Sequence, residues 1–224
     1  MRRNRQKYRR NSFAILAENS IITVAVKDET VTKKRRYPGQ QPAVTFCVIE
    51  RRTGTMGFKK VDVKTLEMKP FEKIGSEWML ISAAKDGKAN TMTASWGGIG
   101  VLWGKNVATV YIRPQRHTKE FVDAGDTFTI SFFGGEHMKE LGYLGKVSGK
   151  DVPDKIEQSG LHLTEVDGQP GFEEATQVLV CRKLYHDEIK PENFYETEED
   201  ERWYPEKDYH TMYIAEIREC WVRE

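Results

Sequence analysis

Cysteines and long apolar runs are scarce in this chain of 224 residues, and each shortage excludes a class of protein. The three cysteines, Cys47, Cys181 and Cys220, have the spacing of neither a disulfide framework nor a zinc motif. No apolar run has the length of a membrane-spanning helix. We therefore expect a soluble protein of a reducing compartment, the cytoplasm.

Common signatures of catalysis and nucleotide binding are missing as well. The sequence contains no GxGxxG fingerprint, no P-loop and no serine in a nucleophile elbow. The histidines are scattered without the spacing of a metal site: His117, His137, His162, His186 and His210. Cys181 lies within a predicted strand, which indicates a small buried apolar residue rather than a nucleophile. No metal site is expected.

Charge divides the chain into two parts. Residues 1–55 hold thirteen Lys and Arg against four Asp and Glu, a balance of +9. Because the whole chain carries +1, residues 56–224 carry −8. We therefore predict a basic N-terminal extension over 1–55 and a folded domain over 56–224.

The basic extension has three interpretations. Its charge is typical of a solvated, disordered tail, and a basic arm that binds nucleic acid is the second interpretation. The third is a translated leader, because Glu50-Arg51-Arg52 can be encoded by GAGAGGAGG, which resembles a ribosome-binding site just before Met56. Under this hypothesis Met56 is the natural start, and CGN codons for the two arginines would contradict it.

The remaining sequence predicts a mainly β protein. Apolar or alternating segments predict strands at 78–84, 89–96, 107–112, 126–133, 175–186 and 210–222. The dipeptide Asp86-Gly87 predicts a hairpin between the first two. Helices are predicted at 70–77, from Thr118 as N-cap to Gly125, and at 136–146, whereas 196–208 is interpreted as an acidic surface segment. Strands joined by short loops, without βαβ alternation, favour an antiparallel barrel with short helices.

The segment 90–103, "NTMTASWGGIGVLW", is unusual for a strand. Thr91, Thr93 and Ser95 place small hydroxyls before a glycine pair. A wall of hydroxyls and free backbone is suited to a flat polar ligand. Trp96 either covers part of that ligand or packs in the barrel, and Trp78 and Trp103 are interpreted as barrel packing.

The segment 113–118, "RPQRHT", joins a predicted strand to a predicted helix. The turn places hydrogen-bond donors beside the free N–H groups of a helix start. These donors come from Arg113, Arg116 and His117, and Thr118 adds a hydroxyl. Such a combination favours the binding of a phosphate. Arg113 is the expected phosphate contact, with Arg116 and Lys119 as the other candidates in this part of the chain. The alternative is a solvated basic turn with an ordinary helix cap. Both segments together indicate a ligand with a flat ring system and a phosphate.

Five segments in order resemble the flavin reductase-like family, in its flavoredoxin-like branch, over residues 69–222. These segments are "NTMTASWGG", "VYIRPQRHT", "FTISFF", "LGYLGKVSGKDVPDK" and "YHTMYIAEI". The resemblance implies an FMN-binding split β-barrel, antiparallel and Greek-key-like, that forms a homodimer with FMN near the subunit interface. It implies either an NAD(P)H-dependent flavin oxidoreductase or a flavoredoxin-like electron-transfer protein that exchanges electrons with a redox protein.

The resemblance also implies the site. The cofactor-binding residues would be Asn90, Thr91, Met92, Thr93, Ala94, Ser95, Trp96, Arg113, Arg116, His117, Thr118 and Lys150. His210 would lie near the flavin and the nicotinamide, and no catalytic dyad is needed because FMN carries the hydride. Relatives commonly have glycine where Ala215 stands, and its methyl group is expected to narrow the space over the flavin. The alternative from another functional class is a nucleic-acid-binding barrel with a basic arm. The negative charge of residues 56–224 disfavours it.

Overall fold

The computed structural model describes residues 57–224 and, before them, the backbone of three strands. These are β1 (Ala14–Glu18), β2 (Ile21–Val26) and β3 (Glu29–Thr30), which pair in that order. Contacts divide the chain into two units, 1–54 and 55–224. The interpretations of 1–55 as a disordered tail, a nucleic-acid arm or a leader otherwise fall outside the described residues and stay predictions.

Ten strands and four α-helices form the second unit. The strands are β4 (Phe58–Val61), β5 (Met79–Lys85), β6 (Lys88–Ala94), β7 (Gly97–Leu102), β8 (Lys105–Ile112), β9 (Thr127–Phe132), β10 (Leu163–Val166), β11 (Gln169–Phe172), β12 (Gln177–Glu188) and β13 (Thr211–Arg223). The α-helices are α1 (His117–Ala124), α2 (Met138–Lys146), α3 (Lys155–Ser159) and α4 (Thr197–Trp203). Other helical turns lie at Val63–Thr65, Phe71–Ser76 and Pro191–Asn193. Among the described residues, no helix is both long and apolar enough to cross a membrane.

The main sheet is antiparallel and has the order β6-β5-β9-β12-β13-β8-β7, with β4 also paired to β13. The strands β10 and β11 form a separate hairpin. Although only Ser95 and Trp96 separate β6 from β7 along the chain, these two strands lie at opposite ends of the hydrogen-bonded order. The prediction of a mainly β fold with short helices is confirmed, and the sheet stays open between its two end strands.

The predicted hairpin is formed by β5 and β6. Lys85 pairs with Lys88, and the two residues between them, Asp86 and Gly87, have φ angles of 51° and 73°. Two consecutive residues with positive φ are the backbone of a type I′ turn, which Asp-Gly favours. The turn therefore fixes the register that brings β6 beside β5.

Alternation along the strands produces two apolar clusters. In β5, Met79 and Ile81 belong to a cluster that includes β8 and β13, whereas Leu80 belongs to a second cluster. The second cluster also includes Leu141 of α2 and Phe172 of β11. Because neighbouring residues of a strand point to opposite faces, one apolar strand serves both clusters. The sheet is thus buried on both sides here.

Two local predictions are wrong. The glycine pair does not leave its backbone free, because Gly97 and Gly98 belong to β7 and pair with β8. Helix α1 begins at His117 with Arg116 as N-cap, and no side chain caps it. Thr118 is therefore already inside the first turn, because the extended residue that precedes the helix is Arg116 (φ −74°, ψ 119°).

The interpretation of tryptophans as barrel packing holds only for Trp78, which is partly buried against the second cluster. Trp103 is 62% exposed because it lies in the two-residue turn between β7 and β8, with a φ of 52°. Trp96 is 37% exposed and follows the end of β6. Neither Trp96 nor Trp103 is a core residue.

Candidate functional site

A cavity of about 340 Å³ lies where the end of β6 meets the end of β8. Its volume is at the lower end of the range for small-molecule sites. It is lined by Met92, Thr93, Ala94, Ser95, Trp96, Tyr111, Arg113, Gln115, Arg116, Trp203 and His210. The lining therefore combines an edge strand, the turn after β8, the end of α4 and the residue before β13.

Aromatic rings form one side of this cavity. The ring centroids of Trp96 and Trp203 are 4.9 Å apart in an edge-to-face arrangement, and the His210 ring is 5.1 Å from Trp96. The Trp203 indole N–H donates to Glu199 Oε2 at 2.7 Å, which fixes that ring on α4. The acidic segment 196–208 thus forms a wall of the cavity, although the sequence indicated only a surface segment.

Arg113 is held by its own chain. One guanidinium nitrogen donates to the Asp208 carboxylate, which also accepts from Gln115, and Nη2 donates to the Trp203 carbonyl at 2.8 Å. Burial alone would raise the pKa of Asp208, but the hydrogen bonds from Arg113 and Gln115 hold it below its usual value. The charge of Arg113 is therefore neutralised at the edge of the cavity.

In the described part of the chain, the Arg116 guanidinium donates hydrogen bonds only to backbone oxygens. Its Nη1 donates to the Gly145 carbonyl at 2.7 Å, and Nη2 lies 3.5 Å from the Thr93 carbonyl. Within residues 57–224 no carboxylate is paired with it. Burial and the neighbouring Arg113 lower the pKa of Arg116, yet a guanidinium stays protonated in proteins. An unneutralised positive charge therefore lines the cavity.

Lys155 is a second buried cation close to β6. Its Nζ donates to the Thr91 carbonyl at 2.7 Å and to the Val147 carbonyl at 3.0 Å. Burial and the charge of Arg116 lower its pKa to about 8. The loop before it passes so close to Asn90 that a Cβ at Gly149 would lie 2.5 Å from Asn90 Oδ1. Any larger residue at position 149 would therefore have to displace the Asn90 amide.

His210 is 7% exposed and lines the cavity beside these cations. Its Nδ1 lies 2.9 Å from the hydroxyl of Tyr204. Burial, and then the charge of Arg113, lower the pKa of His210 to about 4. The imidazole is therefore neutral near pH 7.

The model of the flavin reductase like domain matches residues 71–224. This chain belongs to the flavin reductase-like family. The matched part includes every strand of the main sheet except β4, and it includes all residues that line the cavity.

Solved structures of this family have the same fold. The FMN-binding domain of a flavin reductase-like enzyme from Shewanella baltica matches with a TM-score of 0.54 and 20% identity, over 74% of this chain and 77% of that chain. Flavoredoxins from Methanosarcina acetivorans and Desulfovibrio vulgaris match with TM-scores of 0.51, at 21% and 22% identity. Each of these covers 66% of this chain and 69% of the flavoredoxin. At these identities the likeness shows the fold alone.

A curated relative is an uncharacterized protein of Aeropyrum pernix. It is 26% identical over 103 residues, which is 45% of this chain and 39% of the relative. The match thus spans about two fifths of that protein's length.

The structure brings most of the predicted site residues together. Those that line the cavity are Met92, Thr93, Ala94, Ser95, Trp96, Arg113, Arg116 and His210. They come from β6 and the residues after it, from the turn after β8, and from the start of β13. The sheet brings these segments together because it curls until its end strand β6 approaches β8.

Five predicted residues do not line this cavity: Asn90, Thr91, His117, Thr118 and Lys150. The Asn90 amide donates to the Thr118 hydroxyl at 3.1 Å, and both side chains are buried. His117 packs edge-to-face on Phe121 at 5.2 Å. Lys150 is exposed, and its backbone N–H donates to Ser148 Oγ at 3.2 Å. The buried cation supplied by this region is Lys155.

The prediction that the hydroxyls of Thr91 and Thr93 face a ligand is wrong. Thr91 Oγ1 accepts from Ser82 Oγ at 2.8 Å and lies 3.1 Å from the Ile81 carbonyl, to which it donates. Thr93 Oγ1 donates to the Leu141 carbonyl at 2.5 Å. Both hydroxyls are therefore used within the protein, that of Thr91 by β5 and that of Thr93 by α2.

The structure adds residues that sequence reasoning missed: Tyr111, Gln115, Lys155, Trp203, Tyr204 and Asp208. The sequence did carry one signal for two of them, since adjacent aromatic residues, Trp203 and Tyr204, are unusual within an acidic surface segment. Lys155 gave no signal, because a single lysine after a loop is ordinary.

Ala215 does not narrow the cavity. It is fully buried in the first apolar cluster, and it pairs with Ala108 of β8 and Lys183 of β12. It is not among the residues that line the cavity. The expected effect of its methyl group on the space for a ligand is therefore wrong.

Proposed function

We propose that this chain binds FMN in the cavity between the ends of β6 and β8. The observation that carries the proposal is Arg116, a half-buried guanidinium without a carboxylate partner among the described residues, beside a cavity walled by aromatic rings. A buried charge is expected to be paired, and a phosphate would supply the missing partner. The related domain from Shewanella baltica binds FMN, which supports the same cofactor here.

The residues present fit such a ligand. Arg116 would hold the phosphate, and the backbone from Thr93 to Trp96 would run along the ring system. Trp96 and Trp203 would pack against it, and His210 would face it as a neutral ring. When bound, FMN supplies hydride and single-electron transfer. The chain's own contribution is to bind and orient the cofactor and to exclude water.

The reaction we propose is NAD(P)H-dependent reduction of flavin. A second cavity, of about 640 Å³, shares Ser95, Trp96 and Tyr111 with the first. Gly97 and Gly98 form part of its wall and leave room beside Trp96. A planar nicotinamide could lie there, next to a ring system held in the first cavity.

The second candidate is a flavoredoxin-like electron-transfer protein without NAD(P)H activity of its own. One observation favours it: the Trp96 ring, packed edge-on against Trp203, lines both cavities, so an indole obstructs the approach of a nicotinamide in the second cavity to a ring system in the first. Electrons can pass to a protein partner without such an approach. The two candidates differ in the electron donor, which is NAD(P)H for the first and a redox protein for the second.

Two measurements test these proposals. Purified full-length protein mixed with FMN should give a bound-flavin spectrum, and absence of binding at micromolar concentrations would contradict the cofactor. Anaerobic mixing of the complex with NADH or NADPH should then bleach the flavin absorbance. If neither nucleotide bleaches it while dithionite does, the electron-transfer candidate stands instead.

We further propose a cytoplasmic homodimer. Phe71 is 93% exposed and Val101 is 74% exposed, and contact with a second chain would cover these apolar side chains. Nucleic acid is a less suitable partner, because the acidic balance of residues 56–224 repels phosphates.

A further inference from the structure

Tyr204 and His210 form a hydrogen-bonded pair at the back of the cavity. The Tyr204 hydroxyl is 2.9 Å from His210 Nδ1, and the two residues are 3% and 7% exposed. Tyr204 follows the end of α4, and His210 precedes β13. The pair therefore connects the acidic segment to the main sheet.

The direction of this hydrogen bond follows from the partners that are present. Among residues 57–224 the Tyr204 hydroxyl has no other acceptor within hydrogen-bond distance. If the Tyr204 hydroxyl only accepted a hydrogen bond from the imidazole N–H, its own O–H would be buried without an acceptor, which is unfavourable. Tyr204 therefore donates, and His210 Nδ1 accepts.

A neutral imidazole carries a single N–H, so an accepting Nδ1 places the proton on Nε2. Burial and Arg113 keep the ring neutral near pH 7, since they lower its pKa to about 4. Nε2 has no hydrogen-bond partner among the described residues, yet it is not among the inaccessible polar atoms. His210 lines the cavity, so this nitrogen is open to a ligand there.

We propose that Tyr204 is a positioning residue, whose hydroxyl holds His210 in the Nε2–H tautomer and so gives the cavity a neutral hydrogen-bond donor for a carbonyl oxygen or ring nitrogen of a planar ligand. The opposite tautomer would present a lone pair to the same atom and repel it. The identity of the ligand as a flavin rests on the proposed function, whereas the tautomer does not.

The structure offers a matched control in Tyr209. Its ring packs 4.8 Å from the Tyr204 ring, and its hydroxyl donates to Asp200 Oδ1 at 2.8 Å. Tyr204→Phe and Tyr209→Phe each remove one hydroxyl from this aromatic pair. Only the first removes the donor to His210.

The test uses full-length, flavin-free protein with ¹⁵N-labelled histidines at pH 7. Two-bond ¹H–¹⁵N spectra identify the protonated nitrogen, and His210→Gln assigns the signals. We expect Nε2–H in the wild type and in Tyr209→Phe, and a mixture of tautomers in Tyr204→Phe. Nδ1–H in the wild type, or an unchanged tautomer in Tyr204→Phe, would overturn the proposal. The wild-type spectrum alone decides the tautomer if Tyr204→Phe does not fold.

The donor role is tested by titrating riboflavin, which lacks the phosphate. Tyr204→Phe should weaken its binding about two- to tenfold, the range of one neutral hydrogen bond, and Tyr209→Phe should not. A changed tautomer with unchanged riboflavin affinity would overturn the donor role. If the wild type binds neither riboflavin nor FMN, the proposed function and the donor role fail, while the tautomer is still decided by the spectra.

Discussion

Arg113 and Arg116 stand three residues apart in one turn, and the structure predicts that only Arg116 holds a phosphate. Arg113 is neutralised by Asp208, whereas among the described residues Arg116 contacts backbone carbonyls alone. The informative perturbation is Arg116→Gln, because a glutamine amide can still donate to the Gly145 carbonyl while the charge is lost. Arg113→Gln is the matched control.

The expected magnitude follows from the type of contact. A hydrogen bond to a charged group contributes about 1.5–3 kcal/mol. At about 1.4 kcal/mol for each factor of ten, Arg116→Gln should weaken FMN binding about 10- to 100-fold. Riboflavin binding should change by less than about threefold, because it depends on the ring and not on the phosphate.

Fluorescence titration of each variant with FMN and riboflavin measures the effect as the ratio of the two dissociation constants. This ratio separates a phosphate contact from partial unfolding, since unfolding weakens both ligands alike. Arg113→Gln should leave the ratio near that of the wild type. If Arg113→Gln lowers the FMN preference more than Arg116→Gln does, the assignment is wrong and the Asp208 pair must open when the ligand binds.

Three further outcomes are expected. A chain of residues 55–224 should keep the thermal unfolding and the FMN affinity of the full chain, because its contacts form a separate unit; loss of flavin on truncation would contradict this. Lys155 has a pKa of about 8 in the folded chain, below its value of 10.5 in the unfolded chain. Between these pH values the unfolded chain therefore binds more protons than the folded one. The free energy of unfolding should rise with pH across this window, by about 3 kcal/mol at most. Lys155→Met should flatten that rise in unfolding experiments at pH 8 and 10, and an equal rise in both proteins would show that another group causes it. Light scattering at micromolar concentration should give the mass of two chains, and a single-chain mass would reject the homodimer.

Strands that repeat a local pattern could be predicted from the sequence. Apolar or alternating segments identified β5, β9 and β13, and the Asp86-Gly87 dipeptide identified the turn that joins β5 to β6. Strand β7 was missed because its glycines have low strand propensity. It forms because its backbone pairs with β8, from Gly97 opposite Val110 to Leu102 opposite Lys105, and pairing is not visible in local composition.

The site was predictable as a location but not as a set of contacts. The arginines in the turn after β8 predicted a binding site, and the structure places them at the cavity. The partner that neutralises Arg113 is 95 residues further along the chain, so no local pattern could assign it. In the same way, the hydroxyl of Thr93 is satisfied by Leu141 of α2, 48 residues away. Local chemistry shows which groups can bind a ligand, and tertiary contacts decide which groups remain available.

The two arginines of this turn therefore have different roles. By binding Asp208 and the Trp203 carbonyl, Arg113 fixes the acidic segment against the sheet and so places the Trp203 ring over the cavity. Its charge also helps keep His210 neutral. Arg116 is left as the cation with no carboxylate partner among the described residues at the cavity. The acidic segment therefore closes the aromatic wall of the cavity. Because it neutralises one arginine and not the other, it also leaves a single guanidinium for an anionic ligand.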